Sequence, residues 1–403
     1  MMKSRSQLVL LVAVLVLASR GAACGQEMPL EWTDPDTGYR VVRLSRGFAE
    51  ARSFYFHNRP FLSSPSGADA GDQMVFYAAE RRGDPMQLRV IDLSTLETRP
   101  LTSEAERIRG EIVSPATREA FYQVGSRVMA VNVDTGEQRA IVELPEELPG
   151  TIRTVNADGS RLLGVYAEGI RELLEKHPQK SQYFGVIFEA RLPNKQFTID
   201  LSTGQTRVVH EESAWLNHQQ FSPTNPDLLM YCHEGHWHEV QRIWTLDLAT
   251  GKHTPIHERT VHREIAGHEF WSPDGKTLWF DLQIPRGETF YLTGYDLATG
   301  KETRYEHERH EWSVHYNISP DQKRFCGDGG SAGSVAGSPD GHWIYLFEPD
   351  GDRLRSTRLV NLADHDYELE PNAHFTPDGN WIVFRANLHG PSQVYAVDLR
   401  RRQ

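Results

Sequence analysis

Cysteine is scarce in this chain of 403 residues, which contains three. Two of them, Cys232 and Cys326, fall in strand-like runs and have neither CxxC nor zinc-ribbon spacing. Two cysteines cannot form the disulfide framework that stabilises small exported domains. We therefore expect both to be buried free thiols.

Positive charge is also in short supply. The 43 Lys and Arg residues face 55 Asp and Glu residues, which gives a net charge of −12, and the longest basic run is residues 400–402. Nucleic-acid binding needs a basic face that neutralises phosphates, so nucleic acid is excluded as a partner. An acidic substrate would require positive charge concentrated within its binding site.

Long apolar runs are missing after the N-terminus. Residues 1–26 read as a signal peptide, because Lys3 and Arg5 precede an apolar stretch at 8–18 and small residues at 21–23. The apolar stretch is too short to span a bilayer comfortably. We expect export to the periplasm or medium, a single domain over residues 27–403 and no transmembrane segment. A lipid anchor on Cys24 is the alternative to soluble export.

Two short turn sequences recur along the chain. Copies of Asp-Leu-x-Thr-Gly, some partial, occur at residues 92–95, 134–136, 200–204, 247–251 and 296–300. Ser-Pro-Asp-Gly and its variants precede apolar strands at 272–275, 319–322, 338–341 and 376–379. Between Asp200, Asp247 and Asp296 the spacing is close to fifty residues, which is typical of a propeller blade with several short strands.

This period predicts an all-β fold, a seven-bladed β-propeller. Residues 38–44 form a spare N-terminal strand, which we expect to pair into the blade ending at Val397 and so close the ring. Residues 168–176 fit a short amphipathic helix, which predicts a short helical insertion in the third blade. The insertion is either a lid or a decorated loop.

Histidines and carboxylates gather near the inner strands. His268 and His315 precede their Ser-Pro turns by four residues and His374 precedes its Thr-Pro turn by two. We expect these three histidines to lie at similar height around the central channel. Glu370, Asn372 and His374 alternate along one extended stretch, so they should share a face and could bind a divalent cation. The alternative is that they are ordinary polar residues of a water-filled channel.

Five motifs resemble, in order and spacing, those of the oligogalacturonate lyase family. They are residues 213–218, 231–235, 242–244, 268–271 and 327–329. The resemblance covers most of the chain after the signal peptide and is strongest over residues 214–328. It implies a seven-bladed propeller that binds manganese through histidines and a glutamine, and that cleaves short galacturonides by β-elimination.

The resemblance also implies residue roles. His268 corresponds to the general base, Arg242 to the arginine that binds or activates the uronate, and His315 to the first metal ligand. His218 and His233 lie within the shared motifs and are candidate substrate-binding residues. For His233, a structural hydrogen bond is the alternative.

The C-terminal metal motif departs from the family pattern. The family has a His-Pro-His core with a glutamine three residues ahead, whereas this chain has Glu370-Pro371-Asn372 with Tyr367 at the glutamine position. A rearranged set would draw on His315, Glu370, Asn372, His374 and His365. The expected cofactor is then a divalent metal, Mn²⁺, and loss of the site is the alternative.

Together these features predict an exported lyase. Its partner would be an acidic, uronate-containing oligosaccharide derived from pectin, cleaved by metal-assisted β-elimination with a histidine base. The alternative is a non-catalytic periplasmic propeller that binds a glycan or a protein.

Overall fold

The computed structural model describes residues 28–64 and 72–400. The predicted signal peptide, with Cys24, lies outside the described residues. Strands dominate the described part, which contains two α-helices and a 3₁₀-helix at Arg309–Glu311. In these ranges we find no helix with the length and apolar character needed to cross a bilayer.

The strands pair antiparallel into four-stranded units, some extended by further strands. The first sheet contains Glu50–Arg52, Phe61–Leu62, Gln73–Ala79, Gln87–Asp92 and Thr98–Pro100. The second sheet contains Arg109–Ser114, Glu119–Val124, Arg127–Asn132 and Gln138–Glu143. The third sheet contains Thr151–Val155, Arg161–Ala167, Asn194–Asp200 and Thr206–Glu212. The fourth sheet contains Leu216–Phe221, Leu228–His233, Ile243–Asp247 and Lys252–Pro255.

The fifth sheet joins two such units through one parallel pair, Glu306 with Arg353. Its units are Ile265–Trp271, Thr277–Gln283, Phe290–Asp296 and Glu302–His307, then Tyr316–Ile318, Phe325–Gly327, Trp343–Asp350 and Arg353–Asn361.

The sixth sheet brings the two ends of the chain together. It contains His374–Phe375, Trp381–Ala386 and Gln393–Asp398, followed by Arg40–Arg43 and Glu31–Thr33. Val41 lies opposite Val397 in this sheet. A strand from the N-terminal region therefore occupies a place beside the last strand of the chain.

Apolar side chains pack between neighbouring sheets. Phe121 of the second sheet, for example, shares a core cluster with Leu162 and Phe197 of the third. Cys232 and Cys326 are buried and free, which confirms the expectation of unpaired thiols.

The recurring turns are held by their own side chains. The Asp200 carboxylate accepts hydrogen bonds from the backbone N–H groups of Ser202 (3.0 Å) and Thr203 (2.8 Å). In the second turn type, the Ser272 hydroxyl donates to Asp274 at 2.7 Å and accepts from the Thr277 N–H at 2.9 Å. Because these contacts span five residues at most, each turn forms from local sequence alone.

Four inner strands share one irregularity. The residue four positions before the Ser or Thr of the turn has a positive φ: Gly110 (115°), His218 (51°), His268 (50°) and Asn372 (53°). The pairing register shifts around the first three of these positions. Such a bulge bends the strand and re-aims the side chain it carries. Here it directs His218 and His268 towards a large cavity.

The insertion between Arg161–Ala167 and Asn194–Asp200 contains two helices, α1 (Ile170–Lys176) and α2 (Lys180–Ala190). The sequence predicted the first and missed the second. The Phe188 ring of α2 lies 5.0 Å from the ring of His236 and against Gly235, while Tyr183 and Phe184 line the cavity. Thus α2 forms part of the cavity wall.

Candidate active site

The cavity has a volume of about 1470 Å³. Pockets for drug-sized ligands usually occupy roughly 300–1000 Å³, so this one has room for several linked rings. Five residues predicted from the sequence line it, namely His218, Arg242, His268, His365 and Glu370.

His268 is oriented by a carboxylate on the adjacent strand. Its Nδ1 lies 2.7 Å from Asp281 Oδ1, and both side chains are buried. Since an ionised carboxylate only accepts hydrogen bonds, Nδ1 carries the proton in the neutral imidazole, and the lone pair of that tautomer lies on Nε2. The Trp237 ring stands edge-on at 5.5 Å from the imidazole. His268 is therefore a fixed imidazole ready to accept a proton at Nε2.

Arg242 is 3% exposed and is held by two buried carboxylates. Its Nη1 donates to Glu234 Oε1 at 2.8 Å, and its Nε donates to Glu269 Oε1. The guanidinium also lies 5.5 Å from the centre of the Trp237 ring. Nη2 has no hydrogen-bond partner among residues 28–64 and 72–400, which makes it the nitrogen available to a ligand.

The arginine controls the ionisation of both glutamates. Burial alone would raise the pKa of Glu234, but the charge of Arg242 outweighs it and lowers the pKa to about 2. The same balance lowers the pKa of Glu269, whose second oxygen accepts from His218 Nδ1 at 3.0 Å. Two carboxylates thus surround one guanidinium, so these three groups together carry a net charge of −1 and have no surplus of positive charge.

His315 lies behind the cavity surface and is fully buried. Its Nδ1 is 2.7 Å from Asp328 Oδ2, while its Nε2 is 3.2 Å from the Tyr55 hydroxyl and 3.8 Å from Glu370 Oε2. The ring of His268 lies 5.0 Å away. The structure therefore brings His268, His315 and Glu370 together.

The segment from Tyr55 to Asn58 belongs to the site, although none of its residues was predicted from the sequence. The Phe56 ring stacks on His315 at 4.5 Å, and the His57 ring lies 5.5 Å from that of His218. Burial and the charge of Glu370 raise the pKa of Tyr55, so its hydroxyl stays protonated. The sequence feature that could have indicated this segment is the run of three aromatic residues before His57, which lies outside the repeats.

Three other predicted metal ligands, Asn372, His365 and His374, do not direct a free donor atom towards His315. Asn372 is committed to the backbone, since its Oδ1 accepts from Phe56 N at 2.8 Å and its Nδ2 donates to the Glu370 carbonyl at 2.9 Å. Both ring nitrogens of His365 lie 2.6 Å from oxygens, those of Asn387 and Leu369.

His374 lines a second, smaller cavity of about 370 Å³. The expectation that His374 lies at the same height around the channel as His268 and His315 is wrong. The position four residues before the turn, which His268 occupies in its own strand, is occupied here by Asn372. The positive φ of Asn372 also breaks the extended stretch, so Glu370 and His374 reach different cavities.

His233 lies apart from the large cavity. Its Nε2 is 3.1 Å from Glu212 Oε2, which also contacts His210 at 3.2 Å, and its ring lies 5.6 Å from that of Trp244. These contacts agree with a structural hydrogen bond, the alternative to a substrate-binding role for His233.

The donor groups do not fit a manganese ion in this arrangement. His315 has the carboxylate-bound Nδ1 of a typical metal ligand, but Tyr55 covers its Nε2, and Glu370 is the one predicted partner within reach. Manganese prefers an octahedral shell with several oxygen ligands, and the predicted residues supply one carboxylate here. A second donor group, His218, Cys232 and Glu269, has ligand atoms within 4.8 Å of one another. Arg242 already neutralises Glu269, and burial raises the pKa of the Cys232 thiol.

Residues 22–403 match the family model for oligogalacturonate lyases. The chain belongs to the oligogalacturonate lyase family. It is 24% identical over 398 residues to an oligogalacturonide lyase of Pectobacterium atrosepticum, covering 93% of this chain and 97% of that protein. It is 24% identical over 386 residues to an oligogalacturonate lyase of Dickeya dadantii, covering 90% and 94%. Membership of this family makes the chain an enzyme of the lyase class.

Solved structures agree on the architecture. An oligogalacturonate lyase in complex with manganese superposes with a TM-score of 0.78 at 22% identity, covering 94% of this chain and 98% of that one. The Vibrio parahaemolyticus oligogalacturonate lyase gives 0.77 at 20% identity, covering 92% and 96%. The β-propeller domain of Cps50 (Swd1) from Myceliophteria thermophila gives 0.52 at 9% identity, covering 86% and 98%. The fold of this oligogalacturonate lyase family member is therefore propeller-like and all-β.

Proposed function

We propose that this protein cleaves short oligogalacturonates, or closely related uronate oligosaccharides, by β-elimination with His268 as the base. The observation that carries the proposal is the buried His268–Asp281 pair, which makes Nε2 the proton-accepting nitrogen of the neutral ring, in the lining of a cavity large enough for linked sugars. Membership of the oligogalacturonate lyase family supports the substrate class.

In this mechanism the chain's own residues act on the uronate ring. His268 Nε2 accepts the C5 proton, and Asp281 stabilises the imidazolium that forms. The developing negative charge spreads onto the C6 carboxylate, where Arg242 Nη2 donates a hydrogen bond. The C4–O bond then breaks as the C4–C5 double bond forms, and the departing oxygen takes a proton from solvent. No step passes through a metal ion, since the donor set does not fit one.

The proposed architecture is a ring of seven four-stranded blades. The six sheets supply the blades, the fifth sheet counting as two units, and Arg40–Arg43 closes the ring beside Gln393–Asp398. Helices α1 and α2 then form an insertion in the third blade. Residues 1–26 would direct this propeller out of the cytoplasm, to the periplasm or medium.

The test is the ultraviolet absorbance of the new double bond, measured with digalacturonate and trigalacturonate. Wild-type protein should give the unsaturated product, and His268→Ala should lower kcat by about two to four orders of magnitude. The matched control is His262→Ala, because His262 is exposed and lies outside the cavity.

A His268→Ala variant that retains wild-type turnover would refute the assignment of the base. If wild-type protein binds these sugars without forming product, it is a binding module.

A further inference from the structure

The charge around His268 poses a problem for an anionic substrate. Glu234 and Glu269 both bind Arg242, so the guanidinium is already neutralised before a uronate arrives. The chain as a whole carries −12. Attraction of a sugar with several carboxylates must therefore come from another part of the cavity.

Five arginines line that other part: Arg52, Arg107, Arg109, Arg153 and Arg385. They come from the first three sheets and the last one, whereas Arg242 and His268 come from the fourth and fifth. Arg109 begins the inner strand Arg109–Ser114, and Arg153 lies in the neighbouring inner strand Thr151–Val155. The two strands pack directly against each other, which brings these arginines close together.

Within the described ranges, three of the five arginines have neither an ion pair nor a side-chain hydrogen bond. Arg52 is paired with Glu50 at 2.9 Å, and Arg385 donates to the carbonyls of Glu370 (2.8 Å) and Ser53 (3.0 Å). Arg107, Arg109 and Arg153 are exposed, and the described ranges of the chain place no carboxylate in an ion pair with any of them.

The nearby carboxylate is engaged elsewhere. Glu111 accepts hydrogen bonds from Tyr55 N and from Asn58 Nδ2, the latter at 3.2 Å. Arg153 is exposed at the cavity surface, but neighbouring protein displaces part of its surrounding water. This burial lowers its pKa, Glu111 partly offsets the effect, and the charge of Arg109 lowers the pKa further. Arginines held near one another with no carboxylate in direct contact mark a place where an anion binds favourably.

We propose that Arg107, Arg109 and Arg153 form a second carboxylate-binding subsite, which holds a uronate of the same sugar chain away from the bond being cleaved. The inference rests on the proposed function, because it assigns a second contact to that substrate. Guanidinium groups suit the role, since each can donate two parallel hydrogen bonds to one carboxylate. A neutral or methyl-esterified sugar at this position would lose those bonds.

The experiment compares Arg109→Gln/Arg153→Gln with Arg207→Gln in the full chain. Arg207 is exposed on Thr206–Glu212, outside the cavity, and controls for lost surface charge. In a His268→Ala background, calorimetry with trigalacturonate should show Kd rising by about ten- to a hundredfold in the double variant, as expected for lost charge-assisted hydrogen bonds. Arg207→Gln should leave Kd unchanged.

The same variants with active His268 separate binding from chemistry. KM for trigalacturonate should rise in the double variant while kcat stays near wild type, and binding of monomeric galacturonate should change little. Wild-type Kd in the double variant, or an equal loss for the monomer, would overturn the subsite.

The two proposals fail in different ways. If wild-type protein forms no unsaturated product but the double variant still weakens trigalacturonate binding, the subsite stands and the lyase reaction falls. If cleavage proceeds and the double variant binds normally, the lyase reaction stands and the subsite falls.

Discussion

Removing the Asp281 carboxylate should slow the reaction without weakening substrate binding. The hydrogen bond from His268 Nδ1 is 2.7 Å long and buried, and in the proposed reaction it becomes an ion pair when the imidazole takes the substrate proton. Hydrogen bonds to charged groups contribute about 1.5–3 kcal/mol. At 1.4 kcal/mol for each factor of ten, Asp281→Ala should lower kcat by roughly 10- to 150-fold.

The assay measures kcat and KM from product absorbance, together with calorimetric binding of trigalacturonate. Asp281 is a positioning residue, so KM and Kd should remain within about threefold of wild type if the bond matters mainly in the transition state. Asp281→Asn keeps the size of the side chain and controls for packing. An Asp281→Ala enzyme that folds normally and turns over at the wild-type rate would show that His268 needs no carboxylate.

Three further predictions concern ionisation, metal and the helical insertion. The pKa of Glu234 is lowered to about 2, so its ionisation contributes about 3 kcal/mol to the free energy of unfolding above pH 4.5, and this contribution is lost as the pH falls towards 2. Urea unfolding at a series of pH values should show the loss. Glu234→Gln should make the free energy of unfolding depend less steeply on pH over this range. Protein treated with a chelator and verified as metal-free should retain its turnover, and a loss of activity restored by Mn²⁺ would contradict the donor geometry described above. In Gly235→Ala, the new Cβ would overlap Phe188 of α2, so trigalacturonate KM should rise, and an unchanged KM would show that α2 does not touch the substrate.

The fold was predictable from sequence where its determinants are local. The contact of Ser272 with Asp274 and that of Asp200 with Thr203 lie within three residues, so the turn repeats reveal the strands that they separate. Helix α2 was missed because its aromatic residues Phe184 and Phe188 contact His236, which lies far along the chain, and no local pattern reveals such a contact.

The site was predictable only in part, for a different reason. His268 was found from its position relative to the turn repeats, and Arg242 through the family motifs, but their carboxylate partners depend on strand pairing and on contacts between sheets. His374 was misplaced because a left-handed residue, Asn372, reverses the alternation that an extended strand would have. Tyr55 was missed because it meets His315 across 260 positions of sequence.

The strand bulges have a thermodynamic consequence for the evolution of the enzyme. His218 and His268 occupy left-handed backbone positions that glycine fills without strain at Gly110, and such conformations cost roughly 1–3 kcal/mol each in other residues. His268→Gly should consequently relieve backbone strain that His268→Ala retains. A propeller optimised for stability alone would have glycine at each of these registers, so the imidazoles persist against the preference of the backbone. The strained positions thus mark a compromise in which the scaffold gives up stability to place imidazoles in the cavity lining.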